Sequence, residues 1–399
     1  MHTQFGTGIA TGEFGEATGR EATTQAFDRI DADRVDFCQV FCSSTYDAET
    51  VLTGVRAVIG SDADLIGCTS TAEFTEAGVV EPGVAVGLVT SESMTFETRL
   101  GTGIGADVSG AVTEALSGRP TETDLPYVSA VVLHDGLRGV GEQLALAVQR
   151  KLGPQVSFAG GAASDNYQME STSVFCGDEV AEDALAVALI ASEQRPVIAV
   201  NHGHVPISDP VEVTESEGNV VTELDGRPAF EVWRDAVRER ARAVFDVDVD
   251  EIEEMTSLSR RLMGEFEFGI DQGDGYKIRW PGVADVETGA LEFAVDIPEG
   301  LVFRVMHGEP DDQIASAREA VAEALELAGD REMAGGFIFD CACREIILGD
   351  RFGEAVDTMN ETLDLPLTGF ATYGEIAMQM GQMTGFHNTT TVVMLLPDR

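Results

Sequence analysis

The sequence predicts a mixed α/β fold, with helices layered on sheets that are mixed or largely antiparallel. Short apolar or alternating segments of strand length recur along the chain, and segments with a helical apolar period lie between some of them. Between about Leu185 and Glu223, and again between Glu265 and Val305, predicted strands follow one another without a helix. This order favours mixed or antiparallel sheets over one doubly wound parallel sheet.

Helices are predicted where apolar residues recur every three or four positions. In one of them Val140, Leu144, Val148 and Leu152 lie four apart, and Gly153-Pro154 ends the helix. In chain order the predicted helices are Ala48–Ile59, Ala106–Leu116, Val140–Leu152, Ala229–Ala241, Asp311–Ala328 and Glu354–Leu363.

Strands are predicted where apolar residues alternate with polar ones, or run continuously, over strand length. In chain order they are Val35–Phe41, Leu65–Cys68, Val84–Val89, Tyr127–Leu133, Leu185–Ala191, Val197–Val200, Leu291–Val295, Leu301–Val305, Gly336–Cys341, Glu345–Leu348 and Thr391–Leu396. A chain of 399 residues allows about two or three domains. Turn-forming residues meet a helix start at Asp225-Gly226-Arg227-Pro228, so we predict a boundary there, with domains of residues 1–225 and 226–399.

The chain is strongly acidic, with 70 Asp and Glu residues against 25 Lys and Arg and a formal net charge of −45. Such a chain repels phosphates, which argues against nucleic-acid binding and against docking on an anionic membrane. Its only lysines are Lys151 and Lys277. A nearly lysine-free acidic surface is expected of a protein selected in molar salt, where the Debye length shrinks to about 3 Å. We therefore expect a halophilic source, such as a haloarchaeon.

The sequence also predicts a cytoplasmic protein. The first ten residues lack the charged start and apolar run of a signal peptide, and the longest strongly apolar run, 184–191, is too short to cross a membrane. Six scattered cysteines do not form a disulfide framework or a zinc motif. We expect no cofactor and no metal. His202-Gly-His204 is a weak metal candidate because no third ligand is near it in the sequence.

Three short motifs end predicted strands with small or hydroxyl residues and a carboxylate. Residues 67–73 and 369–375 each begin with a Gly and end with a Glu, a weak internal similarity, and residues 160–165 read Gly-Gly-Ala-Ala-Ser-Asp. Such loops present main-chain N–H groups and a carboxylate, although turn formation alone would also explain them.

Cys341-Ala-Cys343-Arg344 follows a predicted strand. A guanidinium beside a thiol lowers the thiol pKa, and an arginine between apolar segments needs a carboxylate partner from the protein or from a ligand. Cys341 is equally explained as a small buried hydrophobe.

Taken in order, these motifs resemble the FIST N-terminal and FIST C-terminal domains over nearly the whole chain. The N-terminal resemblance rests on residues 67–73, His134-Asp-Gly136, 160–165, 213–219 and 223–229. The C-terminal resemblance rests on residues 276–279, 297–300, Phe339-Asp-Cys341-Ala-Cys-Arg344, 369–376 and His387-Asn-Thr389. The chain departs from the family pattern at Phe370-Ala371 and at Cys343.

The resemblance implies an intracellular sensory protein of signal transduction, which binds a small ligand and passes its state to a separate partner such as a kinase or receptor. Amino acids and related small carboxylates are the ligands suggested for the family. We place the ligand between the two domains, with Arg344 on its carboxylate and Glu375 or Asp165 facing its ammonium group. The complete set of predicted ligand-binding residues is Arg344, Cys341, Glu375, Thr372, Gly374, Gly67, Thr69, Ser70, Glu73, Gly160, Gly161, Asp165, His387 and Asn388.

Two other functions stay open at this stage. In the first, Cys341 is the nucleophile of a hydrolase or acyl transferase and His387 is its base. In the second, the chain is an interaction scaffold whose glycine loops are purely structural, which predicts an occluded or absent pocket.

Overall fold

A computed structural model describes residues 2–117, 124–252, 256–273, 275–379, 382 and 385–399. Residues 4–90 form a first unit whose order of strands and helices recurs twice. Its elements are β1 (Gln4–Ala10), α1 (Gly15–Phe27), β2 (Phe37–Ser43), α2 (Ala48–Ile59), β3 (Asp64–Ser70), β4 (Glu73–Thr75), β5 (Gly78–Val80) and β6 (Val84–Thr90). Asp47 caps α2, because its side chain accepts hydrogen bonds from the N–H groups of Glu49 and Thr50.

Unit 2, residues 94–192, follows the same order. Its elements are β7 (Met94–Thr102), α3 (Val108–Ala115), β8 (Tyr127–His134), α4 (Gly141–Leu152), β9 (Ser157–Ala162), β10 (Val174–Cys176), β11 (Glu179–Ala181) and β12 (Ala184–Ser192). The apolar run 184–191 is thus a fully buried strand, β12.

Unit 3 is divided by a long insert, residues 202–309. Before the insert lies β13 (Val197–Asn201). The insert contains β14 (Val205–Pro206), β15 (Val211–Glu217), β16 (Val220–Leu224), β17 (Arg227–Pro228), α5 (Ala229–Phe245), α6 (Ser257–Glu265), β18 (Phe268–Asp271), β19 (Tyr276–Arg279), β20 (Val283–Asp285), β21 (Ala290–Glu292) and β22 (Val302–His307). After it come α7 (Pro310–Ala328), β23 (Met333–Cys341), α8 (Ala342–Leu348), α9 (Phe352–Leu363), β24 (Leu367–Thr372), β25 (Glu375–Met378), β26 (Phe386–His387) and β27 (Thr391–Pro397).

The three units build three six-stranded sheets with one common strand pattern. The orders are β1-β6-β2-β3-β10-β11, β7-β12-β8-β9-β25-β26 and β13-β27-β23-β24-β4-β5. In each sheet one central pair is parallel, β2/β3, β8/β9 or β23/β24, and the other neighbours are antiparallel. A helical connection joins the two strands of each parallel pair, as parallel strands require. The expected mixed α/β class is confirmed.

Each sheet ends in a hairpin that belongs to another unit. Hairpin β4/β5 of unit 1 extends the sheet of unit 3, β25/β26 of unit 3 extends that of unit 2, and β10/β11 of unit 2 extends that of unit 1. Because of this exchange, two of the three sheets contain strands from both sides of residue 225. The division into domains 1–225 and 226–399 stays a prediction.

One shared core lies between the three sheets. It contains inward side chains from every sheet, and Phe41 of β2 meets Phe370 of β24 with ring centroids 4.3 Å apart. Helices cover the outer faces: α1 and α2 pack on the first sheet, α7 and α9 pack on the third, and the insert packs against the helices of unit 2. Burying each such aromatic ring contributes about 1.5–3 kcal/mol.

Glycine is required at one equivalent position of each parallel pair. Gly67, Gly160 and Gly369 lie opposite Val40, Val132 and Ile338. A Cβ atom on these glycines would lie 2.0, 1.8 and 2.3 Å from the carbonyl oxygens of the facing residues. The aromatic rings of Phe175 and Phe74, which belong to the exchanged hairpins, use the same space beside Gly67 and Gly369. Gly67 and Gly369 therefore leave the space that the hairpin rings occupy beside the sheets.

Two differences from the expected elements have a clear cause. Residues 345–348, expected as a strand, belong to α8, whose Arg344 and Ile347 point inward while Glu345 is partly exposed. Residues 15–27 form α1, although its buried face consists only of small or hydroxyl residues such as Gly19 and Ala22. That face packs closely on α2, where Gly54 touches the main chain of α1. Among the described helices, none combines the length and apolarity needed to span a bilayer.

Gly160→Ala tests the close approach in the parallel pairs. The added methyl group collides with Val132 O, so we expect the free energy of unfolding to fall by about 1–3 kcal/mol in urea denaturation. Gly353→Ala is the control, because Gly353 lies in α9 and a methyl group there would have no atom within 4 Å outside its own turn of helix. Equal stability of the two variants would contradict the proposed packing role.

Candidate functional site

The ends of β3, β9 and β24 meet where the three units adjoin. Ser164, just after β9, donates its N–H to Thr69 O at 3.0 Å and its hydroxyl to Ala371 O at 2.6 Å. One residue of unit 2 therefore contacts the corresponding strand ends of both other units. The similarity between residues 67–73 and 369–375 has the same origin, because both segments connect the last strand of a parallel pair to an exchanged hairpin.

Beside this meeting point lies a cavity of about 480 Å³, which unit 2, unit 3 and the insert enclose together. Unit 2 supplies His134, residues 136–141, Ala162 and the loop residues Tyr167 and Met169. Unit 3 supplies residues 341–343, Ile346, Thr372, Tyr373, Phe386 and Asn388, and the insert supplies Asn219, Trp280 and residues 292–296. A volume of this size suits a small molecule.

Three of the predicted ligand-binding residues share this wall: Cys341, Thr372 and Asn388. Cys341 is the last residue of β23 and lies opposite Thr372 of β24. Burial raises the pKa of the Cys341 thiol well above its usual value, and contact with Cys343 raises it further, so the thiol is protonated at neutral pH. The Asn388 amide is buried, and its Oδ1 has no hydrogen-bond partner among the described residues.

The expectation that Arg344 awaits a ligand anion is wrong. Its side chain is fully buried, and its Nε donates to Asp340 Oδ1 at 2.7 Å. The other guanidinium nitrogens donate to Gln313 Oε1, Ser316 Oγ and Gln313 O at 2.6–2.9 Å. The carboxylate partner that a buried arginine needs therefore comes from the protein itself, from Asp340 in β23. Arg344 does not line the cavity.

The two carboxylates expected to face an ammonium group also have protein partners. Glu375 Oε2 accepts from the N–H and hydroxyl of Thr390 at 3.1 and 2.9 Å. Asp165 accepts from the N–H groups of Met169, Glu170 and Ser171 and from the Tyr373 hydroxyl. Asp165 thereby shapes the loop that carries Tyr167 to the cavity, which is a positioning role.

Three buried carboxyl groups are each hydrogen-bonded by one of three consecutive threonines, which follow the wall residue Asn388 in the chain. Thr389 Oγ1 donates to Glu267, Thr390 to Glu375, and Thr391 Oγ1 to Asp340 at 2.8 Å. Burial raises the pKa of Glu267 and of Glu375 well above the usual value, because it disfavours the charged carboxylate. The pKa of Asp340 is also raised by burial, although Arg344 opposes the shift.

The remaining predicted residues lie outside the cavity wall. Gly67, Gly160 and Gly161 are buried in β3 and β9, and Gly374 leaves room for the Phe386 ring. Ser70 and Glu73 form a buried pair in unit 1, with Ser70 Oγ donating to Glu73 Oε1 at 2.5 Å. Thr69 borders a separate hollow between units 1 and 2. His387 Nε2 contacts the carbonyl oxygen of Ala377 at 3.2 Å, and burial lowers the pKa of its imidazole well below the usual value.

Sequence reasoning missed the aromatic part of the wall and His134. The motif His134-Asp-Gly136 contributed only to the resemblance, although a histidine directly after an apolar strand signals a strand-end site. Trp280, Phe293 and Phe386 gave no local signal, because they come from segments far apart in the chain. His202 and His204 lie elsewhere and contact the carbonyl oxygens of Tyr276 and Gly264.

Two family models match the chain. The FIST N domain matches residues 36–227, and the FIST C domain matches residues 229–378. An uncharacterized protein of Methanocaldococcus jannaschii is 26% identical over 200 residues, 50% of this chain and 38% of that protein. One of Mycobacterium tuberculosis is 29% identical over 262 residues, 61% of this chain and 62% of that protein, so the chain spans less than two thirds of both relatives. One of Mycobacterium bovis is 26% identical and covers 99% of each chain.

Solved structures of cyanuric acid hydrolases are similar only at a low level. One covers 99% of this chain at 12% sequence identity with a TM-score of 0.29. Another, from A. caulinodans, covers 48% of this chain and 72% of its own, at 13% identity with a TM-score of 0.25. Scores this low establish no shared activity.

The Arg344–Asp340 pair is tested by a double-mutant cycle. Arg344→Gln leaves the Asp340 carboxylate buried without a cation, so we expect the free energy of unfolding to fall by about 3–5 kcal/mol. In Arg344→Gln/Asp340→Asn the stranded charge is gone, and part of that loss is recovered. Urea denaturation of the wild-type protein, Arg344→Gln, Asp340→Asn and the double variant gives the interaction free energy of the pair. If the losses of the two single variants add up in the double variant, the two groups are not a coupled pair.

Glu375→Gln tests the buried neutral acids. In the unfolded chain Glu375 has a pKa of about 4.3, whereas in the folded protein the pKa is well above it. Above pH 4.3 or so, unfolding releases a proton, so the wild-type protein loses stability as pH rises, by up to about 1.4 kcal/mol per pH unit for this group. The variant lacks that proton, and we expect its unfolding free energy to fall less steeply as the pH rises above the unfolded-state pKa of Glu375. Glu299→Gln, at an exposed position, should leave the wild-type slope unchanged.

Proposed function

Since the chain belongs to the FIST family, a sensory family whose domains bind small ligands, we propose that this protein is a small-molecule receptor and that the ligand occupies the cavity between unit 2, unit 3 and the insert. The observation that carries this proposal is the shared wall. A strand end of each of two units and an edge of the insert enclose one space. A bound molecule would contact all three parts at once.

Ligand contacts with unit 2, unit 3 and the insert would convert binding into a change of conformation that another protein can recognise. A ligand shifts a conformational equilibrium only by its differential affinity for the two states. The insert contributes Trp280 and Phe293 to the wall, so ligand contacts with these rings favour the arrangement in which the insert is closed on units 2 and 3. We propose that a separate signalling protein, such as a kinase or a receptor, recognises this arrangement.

The arginines near the cavity bear on which class of ligand it can bind. Amino acids and small carboxylates carry an anion, and Arg344 is already neutralised by Asp340. Arg138 is the other arginine beside the site, and its Nε donates to Asp135 at 3.0 Å. The weak structural similarity to cyanuric acid hydrolases does not narrow the choice.

Native mass spectrometry of gently purified protein tests the receptor function, followed by thermal-shift measurements with amino acids, small acids and neutral metabolites. At 100 times its Kd a ligand adds about 2.7 kcal/mol of stability. Ala294→Trp fills the cavity from the insert side and should abolish any bound mass and any shift, whereas Ala294→Ser should keep both. A shift that survives unchanged in Ala294→Trp would contradict binding in this cavity.

A cysteine-dependent hydrolase or acyl transferase is the second candidate, and the position of Cys341 in the cavity wall favours it. Against it, the raised pKa of Cys341 keeps the thiolate scarce, and His387 contacts Ala377 O. The hypothesis of a pure interaction scaffold predicts an occluded or absent pocket. The cavity therefore favours the receptor function over the scaffold.

We also propose that the protein works in a cytoplasm of high salt concentration. The support is the net charge of −45, whose self-repulsion concentrated salt screens.

A further inference from the structure

Five aromatic side chains contribute to the wall of the cavity. Tyr167 and Tyr373 come from loops that follow β9 and β24, Phe386 from β26, and Trp280 and Phe293 from the insert. The Tyr167 and Tyr373 rings lie 6.2 Å apart, and hydrogen bonds hold both: Tyr373 Oη donates to Asp165 Oδ1, and Tyr167 Oη bonds Ala342 O and Glu345. Rings held in this way prefer a flat partner, because aromatic pairs stack face to face or edge to face.

Among the described wall residues, the one permanently charged cation, Arg138, already has carboxylate partners. Of the described wall residues the charged ones are Arg138, Glu292 and Asp296, apart from His134. Arg138 lies 3.0 Å from Asp135 and 3.4 Å from Asp183, so two carboxylates already share its charge. Glu292 and Asp296 are exposed at the rim, and burial lowers the pKa of His134, which is therefore neutral at pH 7. A carboxylate in this cavity would meet net negative charge.

Two residues of the wall, His134 and Asn388, each have one buried polar atom without a hydrogen-bond partner in the described part of the chain. His134 Nδ1 lies 2.9 Å from the carbonyl oxygen of Asp135 and so carries the ring hydrogen, which leaves Nε2 as an acceptor. Asn388 Oδ1 is the other unpartnered atom. A buried acceptor without a donor costs about 1–3 kcal/mol, so a ligand that supplies N–H groups recovers this cost.

From these observations we propose that the ligand is an uncharged, planar nitrogen heterocycle with N–H donors on its ring edge. The ring packs between the aromatic side chains, and its N–H groups donate to Asn388 and His134. This assignment rests on the proposed receptor function and narrows its ligand from small molecules in general to one chemical class.

The test compares ligands that differ only in the feature proposed. Uracil and hypoxanthine are the neutral N–H heterocycles, 1,3-dimethyluracil keeps the ring and loses the donors, and orotate adds a carboxylate to uracil. Binding is measured by isothermal titration calorimetry on the full chain and by the fluorescence of Trp280, with Trp280→Phe identifying its signal beside that of the buried Trp233. We expect uracil or hypoxanthine to bind, and both 1,3-dimethyluracil and orotate to bind about tenfold more weakly than uracil or not at all.

Asn388→Leu has a side chain of similar shape without the amide. We expect it to weaken the N–H heterocycle about tenfold and to leave 1,3-dimethyluracil unchanged. The ligand comparison on the wild-type chain needs no variant, so it decides the question even if Asn388→Leu does not fold.

The outcomes separate the two proposals. If amino acids or orotate bind and change the Trp280 fluorescence while neutral heterocycles do not, the ligand class is wrong and the receptor stands. If 1,3-dimethyluracil binds as tightly as uracil, the donor assignment is wrong. If no compound of any class binds at millimolar concentration and purified protein carries no bound mass, both the ligand class and the receptor function are overturned.

Discussion

The exchange of hairpins between the three units is the constraint on which the rest of the structure depends. Each six-stranded sheet obtains its last two strands from another unit, in a closed cycle. A glycine in each parallel pair, Gly67, Gly160 or Gly369, leaves space for the facing carbonyl oxygen, and Gly67 and Gly369 also leave space for a ring of the incoming hairpin. The exchange also places the segments between strand and hairpin, where the chain crosses from one unit to the next, at the junction of all three units. Ser164 bonds both other units from that junction. The cavity lies beside this junction as a consequence of the topology.

The repeated connection also explains the carboxyl groups that the sequence places after the strands. Glu73 and Glu375 begin exchanged hairpins, and each is hydrogen-bonded by the hydroxyl group three residues earlier, Ser70 or Thr372. Both side chains are fully buried, and burial raises the pKa of each well above its usual value. Burial thus favours the neutral acid, which both donates and accepts hydrogen bonds and links a strand end to a hairpin without a buried net charge. The two glutamates are hydrogen-bonded within the protein, whereas Thr372 of the second motif lines the cavity.

Local patterns were sufficient for much of the fold. The helix at 48–59 was predicted with its observed bounds, and the helix at 311–328 begins one residue earlier, at Pro310. The mixed sheets followed from successive strands without helices. The threefold recurrence was visible only as a faint similarity between 67–73 and 369–375, because the insert divides unit 3 and the hairpins pair with distant sheets. Of the predicted site residues, Cys341, Thr372 and Asn388 lie in the cavity wall, because polarity at a strand end is a local signal. The partners of Arg344, Gln313 and Asp340, enclose it only in three dimensions, so the sequence did not reveal them.

In the receptor that we propose, the insert is the part that would transmit ligand binding, because it joins the rest of the chain at few points. The shared core and the exchanged hairpins hold the three units to one another, while residues 202–309 join unit 3 at two neighbouring points, after β13 and before α7. Near these points Gln313 bonds both Arg344 of unit 3 and His204 of the insert, so a buried polar contact links the two parts. The insert meets unit 2 through the ion pair of Arg279 and Glu142 at 3.1 Å and through the packed surfaces behind it. A ligand that adds contacts between the cavity faces of the insert and the framework stabilises their closed arrangement by the free energy of those contacts.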